Sequence, residues 1–101
     1  MMTEAEVYEF DLNGLIVYRN MIPPEDVARM NELIDADQGG EFPQSFSFLH
    51  LDPLFMNLMA HPKTLDVMRS IIGDWMRLDH TYGLQMTNGS EVRENLHGGL
   101  R

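Results

Sequence analysis

Near the end of the chain His97 stands in the stretch ENLHGGLR, followed at once by Gly98 and Gly99. An imidazole framed by glycines suits metal ligation, because residues without a Cβ let an ion and a substrate come close to the backbone. The plainer alternative is an ordinary loop histidine. His50 and Asp52, in FLHLDP, spell a His-x-Asp pair, donor types that can hold a divalent metal. Asp52 also directly precedes Pro53, and an aspartate there serves as an N-cap, its carboxylate spent on backbone N–H groups. We prefer the capping role. His61, before Pro62, is expected at a helix junction as a surface or capping residue. His80 lies between Leu78 and Tyr82 on the apolar side of an alternating stretch, where a lone histidine is expected to be a core residue with a satisfied hydrogen bond. Nucleophilic serine chemistry has no support, since neither Ser70 nor Ser90 sits in an elbow motif. Gly39-Gly40 lacks the lysine and helix of a phosphate cradle.

Composition narrows the partners. Sixteen acidic against seven basic side chains leave a net charge of −9 over 101 residues, which argues against a nucleic-acid or anionic-membrane surface. The absence of cysteine excludes a disulfide framework and thiolate metal sites, and fits a reducing compartment. No apolar run approaches the roughly 18 residues of a membrane span. The opening MMTEAEVYEF is broken by charge, unlike a signal peptide. A soluble, cytoplasmic chain is the expectation. At 44% hydrophobic residues it can form a core, with the size of one small domain or a piece of a larger one.

The candidate residues need elements to hold them. Thr3 with Glu6 three residues on predicts a capped helix through about Phe10. Asn13-Gly14 marks a turn, and Leu15 to Tyr18, LIVY, reads as a short strand. Pro23-Pro24 opens a helix to about Ala36, with Glu25 and Asp26 favoured by its dipole and Val27, Met30, Leu33 and Ile34 as its apolar stripe. The stretch from Asp37 to Phe48 is turn-rich and reads as a connecting loop. Asp52-Pro53 starts a further helix ending near His61-Pro62. Another runs from about Lys63 to Ile72, with Leu65, Met68, Ile71 and Ile72 inward and Gly73 as its C-cap. The nine methionines fall mostly on these stripes and read as core filling. Trp75 to Thr87 alternates apolar and polar residues with period two, which predicts a long half-buried strand. Asn88-Gly89 then predicts a turn that sends SEVRENLHGG back toward a sheet.

In this order the blocks resemble a known family. FDLNGLIVYRNMIPPEDVARMNELID is similar to the opening of the phytanoyl-CoA dioxygenase family: a phenylalanine and a glycine before a short strand, an Arg-Asn step, then a proline- and acid-initiated helix. HPKTLDVMRSIIGDWMRLDHTYGLQM resembles its next block, and LHGG the segment that introduces an iron-binding histidine. The resemblance covers nearly the whole chain. It implies an α+β fold, helices packed on a β-sheet, with residues 1–101 a single partial domain, the N-terminal part of a double-stranded β-helix (jelly roll).

The same resemblance implies Fe(II) and 2-oxoglutarate as cofactors, a small-molecule substrate, and His97 as one iron ligand. The second histidine and the arginine that pairs with 2-oxoglutarate come later in the family's chains, so the sequence reads as an N-terminal fragment, inactive by itself. In a jelly roll the inner face of the long strand lines the active-site cavity, which makes His80, Tyr82 and Gln85 cofactor or substrate contacts. Tyr82 shares His80's side and Gln85 lies on the other, so the three do not all point into one pocket. The usual His-x-Asp/Glu pattern is broken by Gly99. Related iron-dependent halogenases carry a small residue there, and halogenation is a minor alternative. A cut jelly roll would also leave unpaired strand edges, so the fragment is expected to self-associate. A different class stays open beside the oxygenase: a non-catalytic acidic helical module that binds a partner protein.

Overall fold

The computed structural model describes residues 1–38 and 46–84. They form four helices: α1 (Glu4–Asn13), α2 (Pro24–Gln38), α3 (Pro53–Met59) and α4 (Pro62–Ile72). Each begins where local chemistry dictates. Thr3 accepts from the Glu6 N–H and Glu6 reaches back to the Thr3 N–H, a reciprocal capping box. Gly14, at φ 73°, closes α1 in the left-handed region that a side chain would strain. Asn20 also takes a positive φ of 58°, which its short polar side chain tolerates, and the chain turns there toward Pro23 and α2. Asp52 caps α3 by accepting from the Leu54 N–H at 2.9 Å. His61 caps α4 in the same way through its ring.

The expected α+β architecture, with helices laid on a jelly-roll sheet, is overturned. Among the described residues there is no strand, and their regular structure is helical. Leu15–Tyr18 pairs with no strand among the described residues, and Leu15 and Val17 face solvent. The described part of the expected long strand, residues 75–84, makes one antiparallel bridge, between Gly83 and Phe46. Its alternation buries little: Leu78, Tyr82 and Leu84 are exposed and Trp75 is 97% exposed. The physical reason is that a period-two pattern specifies which side of a strand is apolar but supplies no hydrogen-bond partner. Asn88-Gly89 and the return segment lie outside the described residues.

The helices pack in sequence, α2 against α3 and α3 against α4. The buried hydrophobic residues are Met2, Met30, Phe55 and Val67. Phe55 is the most enclosed, and its ring meets that of Phe48 in a tilted pair with centroids 5.4 Å apart. Of the stripe residues expected inside, Met30 is buried, Leu33, Leu65 and Met68 are half-buried, and Val27 is 41% exposed.

Helix α4 carries two working sides. Leu65 and Met68 lie toward Phe48 and Phe55, as the stripe predicts, whereas Ile71 and Ile72, expected inward, are exposed because the side of α4 that carries them is not covered by the described residues. Lys63, Asp66 and Ser70 reach α1 and the residues before it. That second side is polar in sequence and so gave no hydrophobic signal. Among the described residues no helix is long and apolar enough to cross a membrane.

Candidate functional site

His61 is the best-anchored histidine of the described residues. Its Nδ1 accepts from the Lys63 N–H at 3.2 Å, and its Nε2 lies 3.2 Å from the Met21 carbonyl oxygen. An Nδ1 that accepts leaves the proton on Nε2, which therefore donates to Met21. The ring thus ties the segment ahead of α2 to the start of α4. The expected capping role holds, and both ring nitrogens are spent on backbone groups.

His50 and Asp52 have different settings. Asp52 gives its carboxylate to the start of α3, as the proline that follows it predicts, and His50 lies exposed in the preceding turn. Among the described residues no group of three or more His, Cys, Asp or Glu side chains could hold a metal ion. These residues therefore do not assemble an Fe(II) donor set. His97 and Gln85 lie outside the described residues.

His80 is not the core histidine that the alternation predicts. Its side chain is 69% exposed, since among the described residues the segment that carries it makes one bridge, at Gly83, and joins no sheet. Nδ1 lies 2.7 Å from Asp79 Oδ2, and the imidazole stacks on the Tyr82 ring with centroids 5.6 Å apart and planes within 4°. His80 and Tyr82 do share one side, as expected. The carboxylate orients the imidazole, fixing Nδ1 and leaving Nε2 toward solvent. Tyr82 is itself exposed, so among the described residues the pair forms a surface platform.

An apolar recess lies beside it. A cleft of about 450 Å³ opens between α3, α4 and the segment after α4, lined by Phe48, Leu58, Leu65, Met68, Met76 and Leu78. Thr64, Thr81 and Arg77 supply its polar groups. Walls of this kind hold an apolar body, and the threonine hydroxyls and the guanidinium can orient a polar end. Thr81, between His80 and Tyr82, is the residue of that trio whose side reaches the cleft. Sequence reasoning missed Phe48 and Arg77. The alternation in FSF, residues 46–48, was the available signal, masked by the turn-rich stretch around it.

A second polar cluster sits between α1 and α4. Lys63 Nζ lies 4.5 Å above the Tyr18 ring and 3.7 Å from Glu6 Oε1, so one cation joins two helices and the segment between them. The hydrogen bond with the Thr3 backbone, then Thr3's hydroxyl and Lys63, hold the Glu6 carboxyl below its usual range. Burial, and then the negative Glu6 beside it, push the Tyr18 phenol up. The Tyr18 hydroxyl is enclosed beside the Glu6 carboxylate. At the same interface the Met1 α-ammonium donates to Asp66 Oδ2 at 2.6 Å and holds that carboxyl low, and the Met2 N–H donates to Ser70 Oγ at 3.0 Å.

Compared with known protein families, with characterised proteins and with solved structures, the chain finds no match.

Proposed function

We propose that this chain contributes to a non-haem Fe(II)- and 2-oxoglutarate-dependent dioxygenase of the phytanoyl-CoA dioxygenase type, which hydroxylates a small organic substrate in the cytoplasm. The observation that carries the reading is positional. The steps that delimit the resembling blocks coincide with helix boundaries: Asn20 turns at positive φ, Pro24 opens α2, His61-Pro62 opens α4 and Gly73 ends it. On this reading His97 is one iron ligand, and the described residues supply helical scaffolding and an apolar cleft. The remaining ligands and the 2-oxoglutarate arginine come from outside these 101 residues. When bound, the iron would supply oxygen activation.

Calorimetry with Fe(II) or Mn(II) tests the reading on the full polypeptide encoded by the reading frame that contains this chain. His97→Ala should abolish binding and 2-oxoglutarate turnover, and His50→Ala should leave both nearly unchanged. The reverse pattern would assign the metal to the wrong histidine. A wild-type polypeptide that neither binds metal nor consumes 2-oxoglutarate would reject the oxygenase.

A second reading, an acidic helical module that binds a partner protein, is favoured by one observation. The cleft is open, and two of its lining side chains, Ile72 and Leu78, remain exposed. Contiguous exposed apolar surface marks interaction sites.

A further inference from the structure

Helix α1 is attached in an unusual way. None of its ten residues is buried. Between it and α4 lies a crevice of about 120 Å³ lined by Met2, Val7, Phe10, Asp11, Ser70 and Ile71, so the two helices do not close on each other. What joins them is polar. Lys63 reaches Glu6 and lies over Tyr18, the Met2 N–H bonds Ser70, and Met2 alone of the N-terminal segment is buried. Beneath this arrangement the Tyr18 hydroxyl is closed off from water beside the Glu6 carboxylate. The contact is held by two ion pairs, Lys63 with Glu6 and the Met1 ammonium with Asp66, around the buried Met2.

We propose that α1 is an ionically latched strap, with Lys63 as the latch, whose opening uncovers the Tyr18 hydroxyl and the α1-facing side of α4. Opening returns that hydroxyl to water and frees the Lys63–Glu6 pair to hydrate, so the closed state is weakly preferred. A ten-residue helix has little stability in water without packing, so α1 unravels when it detaches. Local opening then precedes global unfolding, because α2, α3 and α4 keep their own contacts. The strap uses none of the residues assigned to iron and stands apart from the oxygenase reading.

Two measurements test it on the full chain. Amide exchange should rise about tenfold in α1 when salt is raised from about 0.1 M to about 1 M, where the screening length falls from about 10 Å to about 3 Å. The α4 amides should stay protected. Nitration by tetranitromethane, mapped by mass spectrometry, should increase severalfold at Tyr18, while exposed Tyr8 and Tyr82 react throughout.

Lys63→Met, which keeps the apolar stem, should reproduce both effects at low salt, and Lys63→Arg should restore protection. The nitration result is diagnostic, because removing a cation beside a phenol disfavours the reactive phenolate. Faster nitration in Lys63→Met therefore reports opening rather than electrostatics. Should Lys63→Met fail to fold, Glu6→Gln keeps the capping box without the charge and serves in its place. Salt-insensitive exchange in α1, or α1 and α4 losing protection in parallel, would overturn the strap.

Discussion

Phe46 and Gly83 exchange two backbone hydrogen bonds, 2.9 Å from the Phe46 N–H to the Gly83 carbonyl and 2.7 Å in return. The Phe46 ring occupies the space where a Gly83 side chain would stand. This one bridge ties the segment after α4 to the segment before α3. Gly83→Ala should push the phenyl ring off the backbone and open the bridge, raising amide exchange at Phe46 and Gly83 while α2 and α4 keep theirs. Unchanged exchange at those two amides would mean that the ring placement is incidental.

Phe55 concentrates what core there is. At 3% exposure, and paired with Phe48, it should cost about 3 kcal/mol or more when truncated to alanine. Met56, its neighbour on α3, is 49% exposed and should cost under about 0.5 kcal/mol in the same change. Urea melts of the two variants check the contrast. Equal losses would show that α3 is rotated from the orientation described.

Capping chemistry gives a graded pair. Asp52→Ala removes the bond to Leu54 at the head of a seven-residue helix that packs on both α2 and α4, and should lower global stability by about 1 kcal/mol. Thr3→Ala removes a cap from α1, which buries nothing, so its effect should appear as local fraying. Circular dichroism with site-resolved exchange separates them. A global midpoint shift for Thr3→Ala as large as that for Asp52→Ala would contradict this division.

The pH response of the α1–α4 contact follows from three groups. The Glu6 and Asp66 carboxyls lie below their ordinary values in the folded protein, so the folded state binds fewer acid protons than the unfolded one. Their contribution is present above the ordinary carboxylate range and fades as pH falls through their lowered folded values. Tyr18 has the opposite sign. Its phenol is pushed up by burial and by Glu6, so its contribution is full below the ordinary tyrosine range and is lost as pH rises through the raised value. Protection of α1 should therefore be broad around neutrality and weaken at both extremes. Lys63, Glu9 and the Met1 ammonium face the same contact and modulate the limits. Maximal protection at acid pH would reverse the sign and refute the assignment.

The elements legible in the sequence are those whose hydrogen bonds close locally. Thr3 with Glu6, Asp52 with Pro53, His61 before Pro62, and Gly14 and Gly73 each mark a helix end within a residue or two of where it lies. A helix satisfies its backbone between residues four apart, so nearby side chains suffice to start and stop it. The same locality explains why Asp52 was readable as a cap instead of a metal ligand.

Tertiary structure alone decided the rest. A strand needs a partner from elsewhere in the chain, and the alternation of residues 75–84 found one bridge and no sheet among the described residues. That absence left His80 beside Asp79 and Tyr82 in solvent rather than in a core. It was likewise packing, not pattern, that set Lys63 between Glu6 and Tyr18, since two whole helices, α2 and α3, separate Tyr18 from Lys63 in the sequence. Charge and aromaticity can be read from composition, but the distance between them is set only when the helices that carry them meet.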